Sequence, residues 1–343
     1  MRVAEVFEKT NIEKYTHALL MTESQKTCTN LASATNQSHD KIYREFENPT
    51  QKSNQIRNQL IDIVKEELSG ELKYLLFDDS QLSKPHANEI EGIDICFDGS
   101  TGRPELGLQI VTAMITDGDV RIPVDLRPYF SKQVSGNYFK TKSELAIAVT
   151  SELVKIFDLE LFIADAHYAT PQTMSFLRTL QLNFLMKFPR NRIVTIDKKH
   201  GQVRDLLKLR RNEHMRSICG FFGEIPCCFY VAKLKTGCTV YFISLYPIKH
   251  NYLVELYKIR WSIELYHRTA KQSLGWNDCQ MRASEKQVLH SFHVMHAYAI
   301  AELVRIKLKL DTTEDAIRHV RQVKAVTSTK SIIATGENLC QFA

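Results

Sequence analysis

The sequence contains no run approaching the roughly 18–20 consecutive apolar residues that span a bilayer, so a transmembrane protein is not expected. Its opening residues, MRVAEVFEKTNIEKY, are polar and of mixed charge and lack the apolar stretch of a secretory signal. A cytoplasmic location, in the bacterial cytosol or at the nucleoid, is the expectation. No CxxC pairing occurs among the eight cysteines, which lie scattered at Cys28, Cys96, Cys219, Cys227, Cys228, Cys238, Cys279 and Cys340. That placement argues against a zinc ribbon or a disulfide framework and suits reduced thiols. There is no internal repeat and no low-complexity segment, and tryptophan is scarce, with only Trp261 and Trp276.

What the sequence does hold is an ordinary globular composition, 44% hydrophobic and 24% charged, over 343 residues. That length exceeds one comfortable core and implies two or three domains. The net charge of +6 is modest, but its distribution is uneven. Between Lys187 and Arg216 stand ten basic residues, Arg190 and Arg192 among them, against three acidic ones. A polyanion is the natural partner of such a segment, because binding it releases counterions condensed on phosphates.

Along the chain, residues 1–70 read as short helices with polar connections. Within them TNLASATNQSHDKIYREFEN has the pattern of a helix, a tight turn and a second helix, capped by Ser38 or Asp40, with Ile42, Tyr43 and Phe46 on its apolar stripe. From residue 71 the texture becomes strands: KYLLF ends abruptly at Asp78-Asp79-Ser80, and EGIDICF, LGLQIVTAMIT and DVRIPVDL follow with glycine-rich connections. KSELAIAVTSELVKIFD has helical period, LELFIAD closes a buried strand on Asp165, TPQTMSFLRTLQ begins a helix with Pro171 in its first turn, and NFLMKF is a further strand. These elements predict a mixed α/β sheet with flanking helices, and acidic residues at strand ends where open α/β sheets tend to place their sites. Residues 191–250 are rich in β-branched and aromatic side chains, and 251–310 return to helix.

The most informative helix is NYLVELYKIRWSIELYHRTAKQSLGW. At about 100° per residue, Tyr257, Arg260, Glu264, Arg268 and Lys271 share an arc of roughly 80°, and Leu256, Ile259, Ile263, Ala270 and Leu274 gather on another face. An exposed helix laced by i,i+4 ion pairs such as Glu264–Arg268 is the plain explanation. It leaves the lone carboxylate among cations and a tyrosine, preceded by two strand-end aspartates, unexplained. His290, His293 and His296, three residues apart, drift along a later helix without an HExxH pattern and read as structural.

At Tyr257-x2-Arg260-x3-Glu264-x6-Lys271 the chain resembles the DDE insertion-sequence transposases of the insertion-sequence-four type, with their Tyr-Arg-Glu-Lys signature. LLFDDS and LFIADAHYATPQTMSFL resemble the family's first- and second-aspartate motifs. The resemblance implies a ribonuclease-H-like mixed five-stranded sheet with flanking helices formed by residues 71–190 and 251–310, and a β-rich insertion at 191–250 before the last catalytic helix; the residue pattern adds an N-terminal helical domain at 1–70, with a candidate DNA-binding helix-turn-helix, and a C-terminal helical tail at 311–343. It implies Asp78, Asp165 and Glu264 as catalytic residues holding two Mg²⁺ ions, with Mn²⁺ able to substitute. Asp79 is the competing first ligand. Tyr257, Arg260 and Lys271, with Arg190 and Arg192 of the basic segment, are the expected DNA-binding residues. The expected partners are DNA, both the inverted-repeat ends of an element and its target, and a second copy of the chain in the DNA complex.

The chemistry agrees with those residue types. Hydrolysing a phosphodiester needs an activated oxygen, a stabilised leaving oxygen and neutralised charge, which two divalent ions about 3.5–4 Å apart supply together. Mg²⁺ is hard and prefers carboxylate oxygens. The expected activity is DNA cleavage followed by joining of a 3′-OH to target DNA. The alternatives are a transposase-derived DNA-binding protein without catalysis and a ribonuclease-H-fold nuclease without strand transfer. Two departures from the family stand out: Ser80 occupies a place more often held by Thr, and the β insertion lacks the Trp that helps some relatives hold a flipped base, leaving Phe221, Phe222 or Tyr230 for that role.

Overall fold

The computed structural model describes residues 13–68, 72–87, 89–98 and 102–323; the first residues of the expected N-terminal domain and the expected tail beyond 323 lie outside the described residues. Four helices come first: α1 (Lys14–Met21), α2 (Cys28–Thr35), α3 (His39–Arg44) and α4 (Pro49–Glu67). Thr27 and Ser38 start α2 and α3 by accepting the amides of Asn30 at 3.2 Å and Lys41 at 3.4 Å, so each cap satisfies one otherwise unpaired donor. Pro49 begins α4, where its missing N–H costs nothing.

Strands β1 (Tyr74–Ser83), β2 (Asp94–Asp98), β3 (Arg103–Thr116) and β4 (Arg121–Tyr129) follow. Helix α5 (Lys142–Leu153), opened by a reciprocal capping box between Thr141 and Glu144, leads to β5 (Leu161–Ala164). Helix α6 (Pro171–Thr179), capped by Thr170, leads to β6 (Asn183–Lys187). Then come β7 (Ile193–Ile196), β8 (Lys199–Gln202), β9 (Met215–Phe222), β10 (Ile225–Lys233) and β11 (Thr239–Ser244). Helices α7 (His250–Ile259), α8 (Trp261–Ser273), α9 (Ser284–Leu308) and α10 (313–323) complete the described chain.

The core of the sheet is β4-β3-β1-β5-β6. β3 pairs antiparallel with β1 and β4, whereas β1, β5 and β6 run parallel to one another. This is the expected ribonuclease-H-like arrangement, extended on both sides: β2 pairs antiparallel with β3, and β11 pairs antiparallel with β6 so that the five strands of the insertion continue the same sheet, which reaches eleven strands rather than ending at five. Its buried strands carry the long apolar runs that parallel neighbours require, since Leu75, Leu76 and Phe77 of β1 and all of β5 are buried. Phe77 stacks on Phe162 with ring centroids 5.2 Å apart.

Helix α9 runs through this core, and α1 packs directly on it. The Gly275 carbonyl can only accept, so His290 Nε2 donates to it at 3.0 Å; burial keeps the ring neutral, which leaves Nδ1 to accept from the Tyr15 hydroxyl at 2.9 Å. Thr16 and His293 Nδ1 lie 2.9 Å apart. Glu302, also buried, accepts from Arg121 at 2.7 and 3.1 Å and from Thr313 at 2.7 Å, tying α9 and α10 to β4. In the expected helix-turn-helix, α3 is only six residues long; it buries Ile42 and leaves Tyr43 half exposed.

Candidate active site

The parallel register places the two aspartates. Phe77 of β1 pairs with Ala164 of β5 as the last matched residues, and Asp78 and Asp165 are the next residue of each strand. Asp78 is not at a strand end as expected: β1 continues to Ser83, with Asp78 opposite Thr112 of β3. Only its parallel pairing stops there. Asp165 leaves the sheet into a turn, where its Oδ1 accepts the His167 amide at 2.8 Å.

Successive residues of a strand face opposite sides, which separates Asp78 from Asp79. Asp79 accepts from Lys142 Nζ at 2.6 Å, at the start of α5. Asp78 faces the α7–α8 junction, where Arg260 Nη1 donates to its Oδ2 at 3.4 Å. The other guanidinium nitrogen, Nη2, bonds Glu264 Oε1. Glu264 therefore pairs with Arg260 rather than with Arg268, which reaches Glu314 at 3.5 Å instead. The expected single catalytic helix is broken at Arg260. There Arg260 N bonds Tyr257 O, and Ile263 N bonds Arg260 O, each three residues back at 3.2 Å, a locally tightened turn. Tyr257 lies beneath the guanidinium at 5.5 Å from its ring centroid and packs its edge on Phe242 of β11 at 4.7 Å.

The electrostatics register this convergence. Burial pushes the Asp78 carboxyl up to about 7; Arg260 pulls against that shift, while the Asp79 and Asp165 charges add to it. Burial raises the Tyr257 phenol as well; Arg260 opposes this, and the Asp165 and Glu264 charges reinforce it. Tyr168 is fully buried, and its hydroxyl finds no partner among the described residues. Burial first, then the charges of Asp79, Asp78 and Asp165, hold that phenol far above its ordinary range.

A hard divalent cation suits an all-oxygen donor set whose charges already raise one of its members. Among the described residues, no three His, Cys, Asp or Glu side chains stand ready as an ion cage. The guanidinium of Arg260 fills the gap between Asp78 and Glu264, so the donors fit such an ion once that cation moves aside.

The basic residues divide. Lys271 lies on α8 near His267, and together with Arg260 its charge adds to the burial that lowers the His267 pKa to about 3. Arg190 and Arg192 are exposed in the loop leaving β6 and reach none of the three acidic residues. In sequence, Lys187 is one cation of the basic segment with nothing local to set it apart. Met186 registers with Ala164, so Lys187 continues the row of Asp78 and Asp165; its antiparallel partner is Phe242, whose ring packs on Tyr257. Lys187 thus shares the face of the acidic residues, is exposed, and forms no ion pair among the described residues. Strand register alone would have pointed to it. Of the aromatic candidates in the insertion, Phe221 is half exposed whereas Phe222 and Tyr230 are buried.

Residues 132–300 match the transposase DDE domain family. No curated protein is similar in sequence at a significant level. Among solved structures, the chain resembles the piggyBac transposase in its synaptic complex with hairpin DNA, at 13% identity and a TM-score of 0.52, covering 90% of this chain and 68% of that one. The NurA nuclease from Sulfolobus solfataricus, at 11% identity, covers 79% of this chain and 98% of that one, but its TM-score of 0.27 is too low to bear on the fold. Residues 3–205 match the DDE superfamily endonuclease family, and the chain belongs to it.

Proposed function

We propose that this chain is an insertion-sequence transposase of the insertion-sequence-four type, working on DNA in the cytoplasm. It would cleave the ends of a mobile element and join the freed 3′-OH to target DNA. The observation that carries the reading is the convergence of Asp78 and Glu264 on one guanidinium, with Asp165 in the row beside Asp78.

In this reading Asp78, Asp165 and Glu264 would hold two Mg²⁺ or Mn²⁺ ions, which would supply an activated water or hydroxyl and neutralise charge on the scissile phosphate. The protein's own groups do the remainder. Arg260 turns its planar fork from the carboxylates to a phosphate beside the scissile one. Tyr257, directly beneath Arg260, donates a hydrogen bond to the same backbone. Lys271 from the helix side and Lys187 from the sheet side act as point charges along the strand, and Arg190 and Arg192 extend that path. Lys142 keeps Asp79 neutralised and out of the site. A second copy of the chain brings the other element end in the paired complex.

The test is Glu264→Gln. Cleavage of element-end DNA with Mg²⁺ should be lost while binding stays within about twofold. Cleavage at the unchanged rate would remove the site assignment. Cleavage without joining by the unaltered chain would leave a nuclease in place of a transposase.

A further inference from the structure

The loop between β4 and α5 has no role in the site just described, yet it combines basic charge with exposed aromatic surface beside it. From residue 126 to residue 143 there is no acidic side chain, while Arg127, Lys132, Lys140 and Lys142 are basic. The base of the loop is fixed. Tyr129 and Phe139 meet edge to face at 6.2 Å, and Lys142 lies over the Tyr129 ring at 5.2 Å while bonding Asp79 at 2.6 Å. The tip is the opposite: Tyr138 is 90% exposed and Val134 45%.

Its position follows from the sheet. β4 and β1 are both antiparallel to β3, so they run the same way; Leu126 of β4 is level with Asp78 across β3, and β4 ends at Tyr129, three residues further along. The Lys142–Asp79 contact anchors the end of the loop on the face of β1 opposite Asp78, one residue along the strand from it.

We infer that the loop 130–141 is a prong that engages DNA at the cleavage point, with the Tyr138 ring stacking on an unpaired base and Lys132 and Lys140 meeting the flanking phosphates. The inference rests on the DNA-cleaving reading of the adjacent site. An anchored loop with a free ring offers a π-face, and only bases outside a continuous duplex stack can cover it. The neighbouring cations, unopposed by acid, favour a strand bearing phosphates over an ordinary protein surface.

The experiment uses the full chain and two fluorescent probes, a blunt duplex and the same duplex with a short single-stranded end. Tyr138→Ala should weaken binding to the ended probe by roughly 5- to 100-fold and to the blunt probe by less than about twofold, with Tyr138→Trp retaining the difference. The double change Lys132→Ala and Lys140→Ala should lower the slope of log affinity against log salt by about 1.5. If the unaltered chain binds DNA and Tyr138→Ala binds both probes equally well, the prong is overturned and the active-site reading stands. If the unaltered chain binds neither probe, both fail. If Tyr138→Ala leaves DNA affinity intact but disrupts a dimer in sedimentation, the loop is a protein contact and the inference is overturned.

Discussion

Arg260 joins Asp78 to Glu264, one guanidinium between carboxylates that lie 186 positions apart in the chain. A cation placed between two acidic groups lowers their repulsion, and it competes with any divalent ion for the same oxygens. Removing it should separate its two roles. Arg260→Ala is expected to tighten Mn²⁺ binding without DNA by about tenfold, the equivalent of ~1.4 kcal/mol, in titration calorimetry. DNA cleavage by the same variant should fall at least about a hundredfold, because the phosphate contact is lost. Weaker Mn²⁺ binding in the variant would show that Arg260 supports the ion instead of excluding it.

Asp78 itself should weigh on stability. Its carboxyl is raised to about 7 in the folded chain, against an ordinary unfolded value of about 4. A group raised on folding contributes fully below its unfolded pKa and loses that contribution as pH rises through the folded value. At pH 8 the ionised, largely buried carboxylate therefore destabilises the chain, whereas at pH 4 it does not. Asp78→Asn should raise the unfolding free energy at pH 8 by roughly 4 kcal/mol and leave it nearly unchanged at pH 4, read from urea titrations. Equal effects at both pH values would contradict the electrostatic account.

Lys187 offers a contrast with Arg190. Both are exposed, but only Lys187 continues the row of Asp78 and Asp165. Lys187→Ala should reduce cleavage by about tenfold or more at saturating DNA, while Arg190→Ala should act mainly through affinity, with kcat held within about twofold. Identical kinetic profiles for the two variants would mean that strand register carries no information about the site.

The parts legible in the sequence were those written in local pattern. Apolar runs ending near Asp78 and Asp165 marked β1 and β5, Pro171 marked the start of α6, and the arc from Tyr257 to Lys271 put Arg260 and Glu264 on one stripe. What escaped was set by pairing across the chain. The continuation of β1 to Ser83 depends on β3 opposite it, and a single sequence does not show that β11 adds to the edge of β6. The choice of Arg260 over Arg268 as partner of Glu264 was equally hidden, because both lie four residues away; Asp78 and Glu314, distant in sequence, decide it. Lys187 was visible only as one cation among ten.

The histidines of α9 give the chain its acid limit. His290, His293 and His296 are fully buried; burial lowers the pKa of His290 to about 3 and of His296 to about 4, and it holds His293 well below its ordinary value. An unfolded histidine takes a proton near pH 6.5, so below that pH the unfolded chain binds more protons and stability falls as pH drops toward the folded values. The unfolding free energy should therefore decline steeply from about pH 6.5 to pH 4, by roughly 2–3 kcal/mol for each histidine. His296 separates this from a general acid effect, because neither of its ring nitrogens finds a partner among the described residues. Replacing it with leucine removes two buried polar atoms and one titrating group, so His296→Leu should match or exceed the unaltered chain by about 1 kcal/mol at pH 7 and show a shallower acid decline. A loss of more than about 2 kcal/mol at pH 7 would mean that the imidazole is satisfied in solution and holds α9 in place.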